Sequence, residues 1–273
     1  MNLIKRITDL YINGSIHVAF SCYALTWLTL IELGLDYNEE LLYFVFYATI
    51  SGYNFVKFFG VAQFHHRSLT KALRWIQILS LVCTFAMFYY FFKLDNLVKV
   101  WGGIMFALTL IYALPLFPKQ KKVRKNLRNV YGVKVYIIAL VWAGVTYVIP
   151  LFYSEQNLSF IDCVNVFLRF LFILLLMLPF ELRDLKSDHP NLGTIPQLLG
   201  EKKTKQLSVF LAFVIVLVSF FSKQNHHYLI VEVIIVIITM LSTWFYNENK
   251  SALYSSFYVE SIPILWLLIL LLI

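Results

Sequence analysis

The chain has 273 residues, of which 60% are hydrophobic, 18% aromatic and only 14% charged. A soluble domain of this length cannot bury so large an apolar fraction in one core, so the composition excludes an ordinary soluble protein and indicates a membrane protein. The formal net charge of +8 comes from basic loops between apolar runs, a pattern that sets membrane topology. We therefore expect the lipid bilayer as a partner and no nucleic acid.

A helix needs about 20 apolar residues to cross a hydrocarbon layer of about 30 Å. About nine such runs follow one another, and they predict an all-α, polytopic membrane helical bundle that forms a single domain over residues 1–273. The predicted spans cover residues 16–35, 41–64, 75–92, 97–117, 130–153, 159–180, 206–222, 228–246 and 253–272.

The placement of basic residues predicts the orientation of the bundle. If Lys5 and Arg6 are cytoplasmic, the outer loops carry only Lys93, Lys99 and Lys223, whereas most of the 23 Lys and Arg lie on the inner side. This asymmetry predicts a cytoplasmic N-terminus and an external C-terminus. The first apolar run is long and lacks a small-residue cleavage site, so we expect no cleaved signal peptide.

The cysteines of the chain all lie in apolar runs. Cys22, Cys83 and Cys163 have no metal-type spacing. We therefore expect three buried thiols and neither a disulfide nor a zinc site.

The most specific feature is a group of acids at the end of the sixth predicted span. On a helix that advances about 100° per residue, Glu181, Asp184 and Asp188 lie within about 60° of one another. Like charges so close need a cation between them, and carboxylate oxygens suit Mg²⁺, which can in turn hold phosphate oxygens. The pattern predicts a Mg²⁺ site formed by these three acids, although residue types alone also permit a solvated helix end.

The segment ELRDLKSDHPNLGTIPQLLG, residues 181–200, resembles the second aspartate-rich motif of the UbiA superfamily of intramembrane prenyltransferases. Glu181 stands in place of the leading Asp of that motif. Nine spans with an inner N-terminus, the basic loop after the fourth span and the last span also resemble this family. The positions that match the motif are Arg183, Asp184, Asp188, Gly193, Thr194 and Pro196.

The resemblance implies a UbiA-like bundle around a central cavity. In that family, Mg²⁺ holds the diphosphate of a polyprenyl donor, whose prenyl group passes to a hydrophobic acceptor. Asp184 and Asp188 are then the expected catalytic residues, and Arg183 is expected to stabilise the leaving diphosphate.

The first aspartate-rich motif of the family is degenerate in this chain. Family members carry Asn-Asp-x-x-Asp at the cytoplasmic end of the second helix, where this chain reads Asn54-Phe55-Val56-Lys57-Phe58. Half of the metal cradle is therefore missing. Because Lys57 is three residues from Asn54 and on roughly the same helical face, both are expected to contact the diphosphate, with Lys57 in place of one metal. The alternative is that Lys57 reaches toward the inner lipid headgroups.

Three more residues complete the expected substrate-binding set. Arg67 lies in the basic loop after the second span, and Lys134 lies near the start of the fifth span, where it either neutralises phosphate charge or marks the membrane boundary. Tyr112 is assigned to the cavity on family position, whereas a Tyr near a helix end is commonly an interfacial residue.

Arg169 lies midway through the sixth span, where a guanidinium needs a partner. Glu232 and Glu260 are the candidates within other spans, whereas Glu32 and Asp162 are expected to be solvated near the outer face.

Together, these features predict a multi-pass prenyltransferase of a bacterial inner membrane that transfers a prenyl group to an aromatic or lipid acceptor. The alternative is a catalytically inactive UbiA-fold protein that binds lipid or a protein partner. A transporter would show polar, broken spans with charges at the midplane, and only Arg169 meets that description.

Overall fold

A computed structural model describes residues 8, 10–64, 71–114, 117–120, 123–125, 130–154, 158–189, 192–223 and 225–273. Nearly all of this structure is helical, and one short antiparallel pair of strands, β1 with β2, lies in the basic loop after the fourth predicted span. In chain order the elements are α1 Ile16–Glu32, α2 Glu39–Phe64, α3 Lys71–Lys93, α4 Asn96–Ala113, β1 Phe117–Gln120, β2 Val123–Lys125, α5 Lys134–Ala143, α6 Ile149–Tyr153, α7 Phe160–Asp184, α8 Ile195–Ser222, α9 His226–Trp244 and α10 Ile262–Leu272.

Within the described residues, seven helical segments are long and apolar enough to cross a membrane. They fit an integral, multi-pass membrane protein and coincide with seven of the predicted spans. The first predicted span corresponds to α1, a shorter apolar helix of 17 residues, and the second corresponds to α2, which is not among the seven. The seven segments are Leu73–Lys93, Asn96–Ala113, Lys134–Tyr153, Phe160–Asp184, Ile195–Ser222, His226–Trp244 and Tyr254–Leu272.

Helix α7 lies at the centre of the bundle. Its apolar stretch is 56% buried, compared with 17% for α3, and it packs against α5, α8 and α9. Ser159 and Asp162 form a capping box that begins the helix, and each satisfies a backbone N–H of the other. As a result, one well-buried helix carries Arg169 in its first half and leads into the predicted metal-binding acids at its C-terminal end.

Two of the membrane segments contain π-helical turns, which are rare and are frequent at functional sites. Gly144–Val148 joins α5 to α6, and Tyr254–Val259 precedes α10. Glu260 and Ser261 then form a turn with right-handed helical backbone angles before Pro263. Irregular backbone at membrane depth is tolerated where it is buried in protein or lines a cavity.

Two predicted helix ends differ from the structure for local reasons. Helix α4 ends at Ala113, because Leu114 is extended and precedes Pro115, which disfavours the helical conformation. Helix α8 begins at Ile195, well before residue 206, because the Gln197 side chain accepts the backbone N–H of Thr194 at the helix start and the kink at Gly200 lets the chain turn into the long helix. Gly200 has a φ of 78°, which glycine adopts without steric cost.

The prediction that all cysteines are buried is wrong for one of them. Cys22 and Cys83 are buried, but Cys163 is exposed on the bundle surface. An apolar position in a membrane helix does not imply burial in protein, because lipid tails are as apolar as the core.

Candidate functional site

The three acids at the end of α7 converge on the ammonium group of Lys134. Lys134 Nζ donates a hydrogen bond of 2.9 Å to Asp188 Oδ2. It also lies 3.4 Å from Glu181 Oε1 and 4.0 Å from Asp184 Oδ2. The structure thus brings together the predicted metal ligands and one predicted substrate-binding residue, and a lysine cation stands at the point the carboxylates share.

Local turns on both sides create this arrangement. Helix α7 ends at Asp184, and the backbone N–H of Asp188 then donates to the Asp184 carbonyl at 2.7 Å, which folds Asp188 back toward the helix end. On the other side, Gly132 N donates to Leu192 O at 2.8 Å and holds the start of α5 against the loop that follows the acids. Lys134, the first residue of α5, is thereby placed beside them.

The cluster has more negative than positive charge. Arg183 Nε donates to Asp184 Oδ1 at 2.7 Å, and its guanidinium lies 5.2 Å from the centre of the Phe180 ring. Together with Lys134, it offsets two of the three carboxylate charges. The Glu181 side chain is only 2% exposed, and its Oε2 has no hydrogen-bond partner in the described part of the protein. A further cation or proton donor is therefore favoured there.

A second group of charges lies near this cluster. Lys57 of α2 and Arg183 of α7 are both within electrostatic range of Glu260 and of each other. Lys57 Nζ also donates to the Asn13 carbonyl at 3.2 Å. The predicted diphosphate contacts Lys57, Lys134 and Arg183 therefore lie at the same end of the bundle, which we call the carboxylate end.

Asn54 has a different position from the one expected. Its Nδ2 donates to Gly14 O at 3.0 Å and to Ser80 Oγ at 2.9 Å, and its Oδ1 accepts from Ser15 Oγ at 2.8 Å. The residue is 3% exposed. Because its side chain is engaged within the protein, Asn54 connects the start of α1 to α2 and α3 and is not available to a ligand in this conformation.

Two other residues of the predicted substrate-binding set, Tyr112 and Arg67, add little support for a ligand site. Tyr112 is 5% exposed near the end of α4 and lies within electrostatic range of Tyr53, so it is an interior residue and not part of an interfacial belt. Arg67 lies outside the described residues.

The opposite end of the bundle contains a buried ion network. Arg169 NH2 lies 3.7 Å from Glu32 Oε2, and Lys223 Nζ lies 2.6 Å from Glu32 Oε1 and 2.9 Å from Glu232 Oε2. Burial alone would lower the pKa of Lys223, but Glu32 and Glu232 outweigh this effect and raise it. Two acids and two bases balance, so the network connects helices without attracting an ion.

Sequence reasoning found part of this network. Of the two candidate partners of Arg169, Glu232 belongs to the network through Lys223 and acts on Arg169 electrostatically, whereas Glu260 does not. The direct partner is Glu32, and the expectation that Glu32 is solvated is wrong, because its side chain is only 11% exposed. Arg169 also donates to the Leu25 carbonyl and to Thr29 Oγ1. Asp162, by contrast, is engaged in its exposed capping box. The position of Glu32 at the end of an apolar helix was the only signal available.

No known protein family matches this chain, and searches of curated proteins and of solved structures likewise give no match. The function must therefore be argued from the site. Across the described ranges, no group of three or more His, Cys, Asp or Glu side chains is arranged so that it could hold a metal ion.

Proposed function

We propose that this chain is a UbiA-like membrane prenyltransferase that binds a polyprenyl diphosphate at its carboxylate end with the help of Mg²⁺. The observation that carries the proposal is the convergence of Glu181, Asp184 and Asp188 on one point at the end of an apolar helical bundle. The proposal places the charged headgroup at this polar site and the isoprenoid chain against apolar side chains of the bundle. The fold we propose has nine spans, with α1 and α2 as the first two.

The residues present suit Mg²⁺ chemically. Carboxylate oxygens are its preferred protein ligands, and the unpartnered, buried Oε2 of Glu181 offers an acceptor that needs a cation. Asp184 and Asp188, which are more exposed, would hold the ion where a phosphate can reach it. The Lys134 ammonium now takes the shared position, so metal binding requires it to swing out toward the ligand.

Charge counting supports the need for a metal. Lys57, Lys134 and Arg183 carry three positive charges, whereas Glu181, Asp184, Asp188 and Glu260 carry up to four negative charges. With all four acids ionised, a diphosphate would enter a site that is already negative. The cations orient the diphosphate oxygens. Only an added divalent cation makes the total electrostatic interaction between the site and the diphosphate favourable.

The bound metal would draw charge onto the leaving diphosphate. Arg183 and Lys57 neutralise that group as the carbon–oxygen bond of the donor breaks, while the apolar bundle excludes water from the prenyl chain. The acceptor, aromatic or lipid, forms the new bond to the prenyl carbon and loses a proton.

A catalytically inactive lipid-binding or partner-binding protein is the second candidate. Phe55 and Phe58 stand where the family has acids, and Lys134 fills the position that a metal would take. The retained carboxylates argue for the enzyme, because a protein without a charged ligand gains little from clustered like charges.

The orientation we propose places the carboxylate end in the cytoplasm and the ion network outside, in a bacterial inner membrane. It rests on the asymmetry of basic residues between the two sides. Labelling of single cysteines introduced at exposed Lys202 and at Ser159, in a variant without the three native cysteines, with a membrane-impermeant reagent in whole cells tests it, since only position 159 should react.

The decisive experiment measures binding of labelled geranylgeranyl diphosphate to purified protein in detergent, with and without Mg²⁺. We expect binding that requires Mg²⁺ and that falls at least tenfold in Asp184→Asn, whereas Glu248→Gln, an exposed acid paired with Lys186, keeps it. Release of pyrophosphate identifies the enzyme, and binding without release identifies the inactive binder. Metal-independent binding, or none, refutes the proposal.

A further inference from the structure

A small cavity lies between the end of α7, the kinked start of α8 and the segment that follows α9. Its volume is about 60 Å³. A water molecule needs about 10–15 Å³ of such space, so the cavity has room for about four to six waters, which is close to the size of one phosphate group. Besides two leucines at the end of α7, polar side chains line it, namely Arg183, Lys186, Glu201, Tyr246 and Glu248. We call this space the α7–α9 cavity.

The cavity offers hydrogen-bond donors that the described part of the protein does not use. Arg183 donates through Nε to Asp184 Oδ1 at 2.7 Å, but no described residue accepts a hydrogen bond from its two terminal nitrogens. Tyr246 is only 6% exposed, and its hydroxyl likewise has no hydrogen bond to a described residue. A guanidinium group presents paired N–H groups that match two phosphate oxygens. Because buried polar groups are normally hydrogen-bonded, these donors favour a ligand with acceptor oxygens.

The charges that line the α7–α9 cavity are balanced. Arg183 and Lys186 are cationic, and Glu201 and Glu248 are anionic. Lys186 pairs with Glu248, and this pair is easily exchanged because the two side chains are 72% and 58% exposed. A purely anionic ligand that took Lys186 would leave Glu248 unpaired beside an added negative charge. A ligand that carries an ammonium group next to its phosphate can pair with both residues.

The position of the cavity favours a membrane lipid over a free solute. Its residues flank the apolar runs 159–180, 206–222 and 228–246, and lipid headgroups lie at such boundaries. Trp244 and Phe245 are exposed at the end of α9, as is typical of aromatic side chains at a membrane interface. Apolar side chains that can contact acyl chains are therefore available close to the polar lining.

We propose that the α7–α9 cavity binds the headgroup of a zwitterionic phospholipid with a primary ammonium group, such as phosphatidylethanolamine. The phosphate accepts hydrogen bonds from the terminal nitrogens of Arg183, from Lys186 and from the Tyr246 hydroxyl. The ammonium group pairs with Glu248, which Lys186 releases, and the acyl chains lie against exposed apolar side chains of the bundle. This lipid site does not depend on the proposed prenyl transfer, although Arg183 belongs to both.

The test measures the affinity of delipidated protein in detergent for three phospholipids with the same acyl chains, by native mass spectrometry. We expect a single bound phosphatidylethanolamine, with an affinity about tenfold above those of phosphatidylcholine and phosphatidylglycerol. Phosphatidylcholine has no ammonium hydrogens to donate, and phosphatidylglycerol has no ammonium group. Equal affinities for the three lipids overturn the inference.

A soluble headgroup distinguishes a lipid from a free zwitterion. Glycerophosphoethanolamine has the same phosphate and ammonium groups but no acyl chains to bury. It should therefore compete with phosphatidylethanolamine at least about 100-fold more weakly than the lipid itself. Competition at equal concentration would identify a soluble ligand and overturn the lipid assignment.

Variants of the lining separate the two halves of the headgroup. Tyr246→Phe and Lys186→Gln should each lower the affinity for phosphatidylethanolamine about five- to tenfold, because each removes a phosphate contact. Glu248→Gln should abolish the preference for phosphatidylethanolamine over phosphatidylglycerol. The matched control is Lys203→Gln, which removes an exposed charge of α8 outside the cavity and should behave as the wild type. An unchanged affinity and preference in the three lining variants, or an equal loss in Lys203→Gln, overturns the inference.

The same variants keep this inference apart from the proposed function. None of them should alter magnesium-dependent binding of geranylgeranyl diphosphate. A parallel loss of diphosphate binding would assign the cavity to the prenyl site and overturn the separate lipid site. Wild-type protein that binds phosphatidylethanolamine as expected but no diphosphate refutes the proposed function alone.

Discussion

Replacement of Lys134 by Met tests how the carboxylate cluster is stabilised. The Lys134 side chain is 15% exposed and that of Glu181 only 2%, so the substitution leaves a buried carboxylate beside two others with Arg183 as the nearest cation. Loss of one partner from a buried ion pair costs about 3–5 kcal/mol. Because Asp184 and Asp188 retain some solvent contact, we expect a loss near the lower limit, about 3 kcal/mol in the free energy of unfolding.

Unfolding in detergent, with and without Mg²⁺, measures how much stability the Lys134→Met protein loses and how much of it Mg²⁺ restores. Without the lysine, the site is open to a divalent cation, and Mg²⁺ at about 100 times its dissociation constant should restore about 2.7 kcal/mol. The wild type should gain less, because Lys134 competes for the same position. Lys202→Met, at an exposed position of α8, should behave as the wild type. A Lys134→Met protein that is as stable as the wild type without metal, or that gains nothing from Mg²⁺, refutes the reasoning.

Two further substitutions separate structural from ligand-binding roles. Arg169→Gln should lower the free energy of unfolding by about 3 kcal/mol, because it leaves buried Glu32 with less compensation. Adding Glu32→Gln should cost less than the sum of the single changes in the same unfolding assay, and strict additivity would contradict the pairing. Asn54→Ala should cost about 2 kcal/mol, because the Asn54 side chain connects three helical regions through buried hydrogen bonds, while magnesium-dependent binding of geranylgeranyl diphosphate stays within about twofold of wild type. Lost binding at unchanged stability would restore Asn54 as a ligand contact.

Some parts of the site follow from local periodicity and were accessible from the sequence. Glu181 and Asp184 lie on one side of α7 because helix geometry spaces them so, whereas Asp188 lies beyond the end of the helix and is held beside them by the turn after Asp184. The limits of α4 and α8 were less accessible, because they depend on Pro115, on Gly200 and on the hydrogen bond from the Thr194 backbone to Gln197. These residues act over one turn and are easily outweighed by a long apolar run.

The sequence by itself determined that this is a membrane protein, where its apolar helices lie and which helix carries the acids, because run length and helical period depend on neighbours in the chain. Only the tertiary structure decided which charged and polar side chains interact with one another. Lys134 reaches Asp188 across 54 residues, Arg169 pairs with Glu32 instead of Glu260, and Asn54 is engaged by Ser15, 39 residues away. Charged groups in an apolar bundle pair with whatever the packing brings within a few ångströms, and that depends on how the helices are placed and rotated against one another.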